Sequence, residues 1–371
     1  EEATDSRITL AYSGDINFSQ IIQGFPVISS LSSNLGISEE LPTITNPIIT
    51  IDNFQTSQAS FQLRIPNLET TALSSLLEKI GLSGVISNDN FDLTLGEEQV
   101  SVTYLGDLSL SNLVQSVPGV EGLGTQLQLP SNITVGSPSI TVVNPTDEKP
   151  DYQVSASHLP ITELSNLLTS QIITLIPENV QSATNELFAQ VEKLNLAIGD
   201  EEVEVTYDGD VDVISLILSL SNQLGLTLPQ AGATLTVPNP ILRIQNPKTD
   251  PSFDFTVPQL SKEEDTNLLG SIEGLPSYAN ELLAAATNVD LQLSDSEIRV
   301  TYLGEANLSS VINQISTELG YSNTIEQQVT LLNPSLLIRE EADNTKFYEL
   351  ILPQIPTGEV MGVLGDLTEV S

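Results

Sequence analysis

The sequence has no cysteine and no tryptophan, and it has one methionine and one histidine among 371 residues. Without cysteine the chain can form neither a disulfide framework nor a thiolate metal site. Any imidazole-based catalysis or metal binding would have to rest on His158 alone. We interpret His158 as a solvent-facing loop residue.

Basic residues are also scarce. The chain has 11 Lys and Arg against 49 Asp and Glu, which gives a formal net charge of −38. Nucleic-acid binding needs clusters of Lys and Arg, so we predict no nucleic-acid partner, and anionic lipid surfaces are disfavoured for the same reason. An acidic surface suits salty surroundings, where the repulsion is screened. Marine or extracellular surroundings fit this composition best, with an acidic cytoplasmic protein as the alternative.

Long apolar runs are missing as well, and none approaches the roughly 20 residues that a membrane-spanning helix needs. The chain begins at Glu1 and its only methionine is Met361. This predicts that an N-terminal leader, most simply a secretory signal, has been removed. The expected location is therefore extracellular or at the cell surface.

Two phrases recur four times at intervals of roughly 100 residues, which is typical of a tandem repeat. The first is Val-Thr-Tyr-x-Gly-Asp and its looser copies, and the second is an Asn-Pro or Ser-Pro phrase followed by a strand-like segment. The recurring glycines and prolines are Gly14, Gly106, Gly209 and Gly304, and Pro47, Pro138, Pro240 and Pro334. These phrases predict four diverged repeats.

Each repeat reads as two β-hairpin-plus-helix units. Apolar residues alternate with polar ones before each tyrosine, as in Val100, Val102 and Tyr104, which predicts a half-buried strand. Helical spacing follows each phrase, with N-cap candidates at Asn17, Ser109, Asp212 and Asn307.

The predicted fold class is α+β: four modules of ~100 residues, each with antiparallel strands and helices on one face. The predicted domains are 1–99, which lacks its first strand, 100–202, 203–297, and 298–371, which ends after a helix.

Candidate chemistry is sparse. Asp208, Asp210 and Asp212 have the acidic spacing with which a calcium loop begins, but Val213 and Asn222 replace its glycine and glutamate. We therefore predict no confident metal site and no cofactor, with loosely bound calcium as the alternative. Two of three N-glycosylation sequons, at Asn17 and Asn307, coincide with predicted helix N-caps, and we favour capping there.

The sequence predicts a protein that is not an enzyme. It carries no nucleophile elbow, phosphate loop or dinucleotide fingerprint. Pairs of carboxylates could meet in space as in glycosidases, but the acids of the tyrosine phrase recur in every repeat, whereas a catalytic pair normally occurs once.

We expect a secreted acidic structural protein that assembles head to tail with itself into an extracellular filament or surface layer. An N-terminal strand without its hairpin partner could accept a strand from a neighbouring copy. The candidate self-assembly residues are Ile8, Leu10, Tyr12, Val360, Val363 and Leu364. The alternative is a cell-surface adhesin or a lipid- or glycan-binding repeat protein with apolar pockets between sheet and helices.

Overall fold

The structure is a computed structural model. It describes residues 7–37, 41, 43–52, 60–69, 74–82, 90–129, 131, 133–223, 234–261, 276–294, 296–318, 330–340 and 346–352. Fifteen of its strands form one antiparallel sheet in the order β1-β4-β5-β6-β7-β10-β11-β12-β13-β16-β17-β18-β19-β22-β23. We number strands and helices in chain order.

Four kinds of strand alternate in this sheet. We name the first kind tyrosine strands because each leads into or contains the tyrosine of the first phrase; proline strands follow the proline of the second. Return strands pair with proline strands, and linking strands lie between a return strand and the next tyrosine strand. The tyrosine strands are β1 (Arg7–Ala11), β7 (Gln99–Tyr104), β13 (Glu202–Tyr207) and β19 (Glu297–Leu303); the proline strands are β4 (Ile48–Asp52), β10 (Ser139–Val143), β16 (Ile241–Gln245) and β22 (Ser335–Glu340); the return strands are β5 (Ser60–Glu69), β11 (Asp151–Pro160), β17 (Ser252–Ser261) and β23 (Lys346–Ile351); and the linking strands are β6 (Asn90–Leu95), β12 (Lys193–Gly199) and β18 (Asn288–Ser294).

The fold-class prediction of four separate modules is wrong. The strands do not close into modules of two hairpin-plus-helix units, because hydrogen bonding continues along a single sheet. Strand β6 falls in the first predicted module and all of β7 except Gln99 in the second, yet the two strands pair as an antiparallel hairpin. The hairpins themselves were predicted, and their apolar alternation is confirmed by the burial of every second residue in β7. The division of the sequence into four repeats stays a prediction.

Short two-stranded ribbons, which the sequence did not predict, follow the glycine of each tyrosine phrase. They pair β2 (Asp15–Asn17) with β3 (Thr43–Thr45), β8 (Asp107–Ser109) with β9 (Thr134–Gly136), β14 (Asp210–Asp212) with β15 (Thr236–Pro238), and β20 (Glu305–Asn307) with β21 (Thr330–Leu332).

The helices of the described residues are short. Three of the four predicted N-caps are confirmed: the side chains of Asn17 and Asn307 accept hydrogen bonds from Ser19 N and Ser309 N, each at 2.9 Å, and that of Ser109 accepts one from Asn112 N at 3.5 Å. The fourth, Asp212, lies one residue before the N-cap position of its helix. The helices are α1 (Phe18–Ile22), α2 (Pro26–Leu35), α3 (Ser74–Lys79), α4 (Leu110–Ser116), α5 (Glu121–Gln126), α6 (Ile161–Leu167) with a π-turn and a 3₁₀ turn to Leu175, α7 (Glu178–Phe188), α8 (Ile214–Gln223), α9 (Ser277–Ala285) and α10 (Leu308–Glu318).

The two recurring phrases contact each other. In all four places the tyrosine N–H donates to the proline carbonyl, and the residue before the proline donates to the glycine carbonyl. In three places an asparagine side chain also accepts from the glycine N–H: Asn46 from Gly14, Asn239 from Gly209, and Asn333 from Gly304, at 2.7–2.9 Å. Each of these glycines has a φ between 119° and 131°, a conformation that residues with a Cβ rarely adopt.

The chain divides into two compact units, Glu1–Leu175 with Glu192–Val205 and Ile244–Pro251, and Ile176–Val191 with Thr206–Arg243 and Ser252–Ser371. In the first unit, α2 packs against β5 and α4 against β11. In the second, α8 packs against β18 and α9 against α10. The core of the second unit includes the Tyr207 ring, stacked on Phe188 at 5.4 Å and edge-on to Phe255 at 6.2 Å.

Candidate functional site

The strand β1 stands at one end of the sheet order. It pairs antiparallel with β4, placing Ile8 opposite Ile51 and Leu10 opposite Ile49. An ion pair between Arg7 and Asp52 also joins the two strands. Among the described residues no strand lies on the other side of β1.

The apolar side chains of β1 are exposed where their counterparts in the other tyrosine strands are buried. Leu10 is 54% exposed and Tyr12 is 47% exposed. The counterparts of Leu10 are Val102, Val205 and Val300, and those of Tyr12 are Tyr104, Tyr207 and Tyr302; each of these six is at most 8% exposed. Ile8 is half-buried, while Val100, Val203 and Ile298 are at most 3% exposed. The strand therefore has the side chains of an interior strand in an exposed position.

A linking strand stands beside the interior counterparts of β1. In the β6–β7 hairpin, Phe91 lies opposite Tyr104, Leu93 opposite Val102, and Leu95 opposite Val100. The β18–β19 hairpin repeats this register with Val289, Leu291 and Leu293 opposite Tyr302, Val300 and Ile298. Among the described strands, none stands beside β1 in the place that β6 takes beside β7 and β18 takes beside β19.

The strand β23 stands at the other end of the sheet order and pairs with β22. Leu350 is half-buried. Its counterparts in other return strands, Leu63 and Phe255, are fully buried and lie opposite Leu95 and Leu293 of the neighbouring linking strands. Phe347 is 47% exposed, and the Arg339 guanidinium lies 6.0 Å from its ring centroid. The remaining self-assembly candidates, Val360, Val363 and Leu364, lie outside the described residues.

Of the three acidic residues considered for calcium binding, Asp210 and Asp212 lie in β14, which pairs with β15, and Asp208 lies two residues before β14. The Asp212 carboxylate accepts hydrogen bonds from Ile214 N, the first residue of α8, at 3.2 Å and from Leu235 N at 3.0 Å. The described part of the chain holds no group of three or more His, Asp or Glu residues that could bind a metal ion. Calcium binding by Asp208, Asp210 and Asp212 stays a prediction.

His158 is not in a loop. It is exposed, as predicted, but it lies at a β-bulge within the return strand β11, with a φ of 57°. Its backbone N–H donates to Asn195 Oδ1 at 2.8 Å. The bulges of β5 and β17 are built the same way, with Asn67 N donating to Asp92 and Gln259 N donating to Asp290, each at 2.8 Å. A structural role explains the position of His158.

Among the three side chains that accept a hydrogen bond from a bulge N–H, Asp92 is buried and also forms an ion pair. It is 4% exposed and binds the Arg64 guanidinium as well as Asn67 N. Asp92 was not among the predicted site residues. The available signal was the acidic or amide residue that recurs at Asp92, Asn195 and Asp290, one strand beyond each bulge.

Two open grooves lie at hairpin tips in the first unit. The larger, of about 400 Å³, is lined by Tyr152, the tip residues Gly199–Glu202 and neighbouring polar side chains. The smaller, of about 290 Å³, is lined by Phe61 and the tip residues 96–99. Acidic side chains line both grooves, whereas the adhesin or carrier hypothesis expects apolar pockets between sheet and helices.

No protein-family model matches the chain, and no curated protein matches it. No helix within the described ranges is both long enough and apolar enough to cross a membrane.

The buried hydroxyl of Tyr207 leads to a prediction. It has no hydrogen-bond partner among the described residues, and burial raises the pKa of Tyr207 well above its ordinary value. The folded state keeps the Tyr207 proton, whereas the unfolded chain loses it above pH ~10. This group therefore leaves the free energy of unfolding independent of pH below pH ~10 and lowers it as the pH rises further. Tyr207→Phe should raise the free energy of unfolding by roughly 0.5–1.5 kcal/mol at neutral pH and reduce its fall above pH ~10.

Urea unfolding of Tyr207→Phe at neutral and alkaline pH measures both effects. The matched control is Tyr12→Phe, because Tyr12 is exposed and should behave as wild type. A loss of stability in Tyr207→Phe would show that the hydroxyl has a stabilising partner.

Proposed function

We propose that this protein is an acidic structural protein of the extracellular space or cell surface, whose copies join head to tail through the two ends of the sheet. The observation that carries the proposal is the exposure of Leu10 and Tyr12 at positions that are buried in the other three tyrosine strands. Exposed apolar side chains on a strand at the end of a sheet are a usual template for pairing with another chain.

The two ends of the sheet differ, which supports an open assembly and not a closed dimer. One end is a tyrosine strand, β1, and the other is a return strand, β23. Contact between two different surfaces is heterologous, and it propagates into a filament when the rotation between copies does not close a ring. At the second end, apolar side chains such as Leu350 in β23 are also only half-buried.

The charge of the chain supports control of this assembly by salt. Several of the basic residues are already bound to carboxylates of the same chain, for example Arg64 to Asp92, Arg243 to Asp254, and Lys248 to Asp200. Basic side chains are too few to neutralise the remaining acids, and the net charge stays at −38. Copies of the chain must therefore repel one another unless ions screen the charge.

Assembly should increase steeply with ionic strength. Between ~0.01 M and ~1 M salt the screening length falls from about 30 Å to about 3 Å, which removes most repulsion between neighbouring copies. We expect monomers by sedimentation velocity at the low end, and polymers by sedimentation and negative-stain electron microscopy at the high end. Calcium chloride at matched ionic strength tests whether the divalent ion adds a specific effect. A chain that stays monomeric at high concentration in every condition contradicts the proposal.

A further inference from the structure

The larger of the two hairpin-tip grooves has an aromatic wall. This groove, of about 400 Å³, lies where the return strand β11 begins, and Tyr152, Gln153 and Val143 form part of its lining. Tyr152 and Gln153 are both half-buried. A Cβ atom added to Gly81 would stand 2.7 Å from the Tyr152 hydroxyl oxygen, so the Tyr152 side chain lies close against the backbone there. The groove therefore presents an aromatic ring, held by its surroundings, beside an amide.

The hairpin tip that completes the groove is held in place by contacts within the chain. Lys248 Nζ donates a hydrogen bond to the carbonyl oxygen of Gly119 at 2.5 Å and forms an ion pair with Asp200 at the tip. The Gln245 amide donates to a Glu202 carboxylate oxygen at 3.3 Å. These contacts fix the tip before a ligand binds, and a preformed site loses less conformational entropy on binding.

The other polar groups of the groove include both hydrogen-bond donors and acceptors. The Gln153 amide can donate and accept, and Asp151 and Glu201 carry exposed carboxylates, which only accept. Ligand sites of this size combine an apolar or aromatic surface with a few polar groups. A saccharide ring matches this combination, because it has a face of C–H groups and its hydroxyls both donate and accept.

Other classes of small ligand match the groove less well. An inorganic cation takes oxygen ligands and would make no use of the Tyr152 ring. An organic cation could stack on the ring and bind the carboxylates, but it would leave the Gln153 amide N–H groups without an acceptor. An acidic saccharide would be repelled by the carboxylates of the groove and by the net charge of −38. An uncharged saccharide uses the ring, the amide and the carboxylates together.

The same combination of side chains recurs one repeat earlier. Phe61 and Gln62 stand near the start of the return strand β5 as Tyr152 and Gln153 do in β11, and they line the smaller groove together with the tip residues 96–99. The tip sequence Gly-Glu-Glu-Gln corresponds to Gly-Asp-Glu-Glu at 199–202. The two grooves thus share the ring, the amide and the carboxylates, whereas the tyrosine hydroxyl belongs to the larger groove alone.

We propose that the larger groove binds one uncharged sugar unit of a polysaccharide, with the sugar ring stacked on Tyr152 and its hydroxyls hydrogen-bonded to Gln153, Asp151 and Glu201. Such a site attaches the protein to a neutral polysaccharide. The inference goes beyond self-assembly and does not depend on it, because all residues that line the groove lie in the first unit and none belongs to β1 or β23.

Saturation-transfer NMR of the full chain at low salt measures the binding. The probes are three uncharged oligosaccharides, cellohexaose, mannohexaose and chitohexaose, and the charged control is the hexamer of galacturonic acid. We expect saturable binding of at least one uncharged probe, with a Kd on the order of 1 mM because an open groove buries only part of the ligand, and no binding of the acidic control. A lack of saturable binding by all three uncharged probes overturns the inference.

Substitutions at Tyr152 test whether its ring is the stacking surface. Tyr152→Ala should weaken binding at least ~10-fold, whereas Tyr152→Phe keeps the ring and should bind within ~3-fold of the wild type. The control is Tyr12→Ala, which removes an exposed tyrosine outside the groove and should bind as the wild type does. Circular dichroism checks that each variant is folded, and Gln153→Ala, expected to weaken binding ~5-fold, is a second test. Wild-type affinity in both Tyr152→Ala and Gln153→Ala overturns the inference.

Dependence on salt distinguishes a sugar from a cation in this groove. Raising the salt from ~0.01 M to ~0.1 M shortens the screening length from about 30 Å to about 10 Å, which should leave the affinity for an uncharged sugar within ~2-fold. Glu201→Gln keeps an accepting oxygen and should weaken binding less than ~5-fold. Spermidine that displaces the sugar, and whose own binding is lost as salt rises, would show a cation site and overturn the inference. Either outcome leaves the salt-induced assembly, which is measured without saccharide, to be judged separately.

Discussion

The double variant Leu10→Lys/Tyr12→Lys is expected to lose salt-induced assembly while remaining as stable as the wild type. Both side chains are about half exposed in the folded chain, so the substitutions remove little buried surface from the monomer. In the joint the same positions would be covered, as Val102 and Tyr104 are, and a buried unpaired ammonium costs several kcal/mol. We expect the concentration needed for assembly to rise at least ~100-fold, which corresponds to about 2.7 kcal/mol.

The control for this variant has the same charge change at another exposed place. Leu105→Lys/Leu332→Lys replaces two leucines that are 40% and 47% exposed and that do not belong to β1 or β23. Both double variants reduce the net negative charge equally, so a general electrostatic effect would promote assembly in both. Sedimentation at high salt should show polymers for the control only. Equal assembly of the two variants would exclude β1 as the contact surface.

The second large expected effect is on stability. Asp92→Ala should reduce the free energy of unfolding by roughly 2–4 kcal/mol, because it removes the partner of a buried hydrogen bond and of an ion pair at once. Asn67 N and the Arg64 guanidinium would both lose the carboxylate that binds them. Urea unfolding followed by circular dichroism measures the change.

Two variants separate the two contributions of Asp92. Asp92→Asn keeps an oxygen that can accept from Asn67 N and loses only the charge, so its effect should be smaller. Asp290→Ala removes the equivalent hydrogen bond to Gln259 N from a half-buried residue and should cost about 1 kcal/mol. If Asp92→Ala costs no more than Asp290→Ala, the buried ion pair adds nothing to stability.

Local elements of the fold were predictable from the sequence because short-range patterns determine them. Alternating apolar residues identified the β6–β7 hairpin, and short polar side chains such as Asn17 and Asn307 identified the starts of helices. The proline of each second phrase was correctly placed at the start of a strand, where its missing N–H does no harm.

The arrangement of the strands was not predictable in the same way. Whether a return strand such as β5 pairs with the next linking strand depends on contacts between residues distant in sequence, and a periodic pattern cannot distinguish separate modules from one continuous sheet. The β-bulges were missed because Pro66-Asn67 and Pro258-Gln259 read as strand ends. The structure shows that the strand continues beyond each bulge.

Comparison between repeats selected Ile8, Leu10 and Tyr12 as candidates for self-assembly. The structure shows that Leu10 and Tyr12 are exposed, and their role in self-assembly stays a prediction. The sequence could not show that β23 forms the opposite end of the same sheet, because that depends on the pairing of all the strands.

Hydrogen exchange of the β1 backbone amides, in monomer and in polymer, tests most directly whether β1 is the joint between copies. Mass spectrometry of the segment 7–12 compares its exchange with that of the equivalent segment 99–104, which is paired on both sides. The account predicts fast exchange for part of segment 7–12 in the monomer and protection close to that of segment 99–104 in the polymer. A polymer in which segment 7–12 exchanges as fast as in the monomer would contradict it.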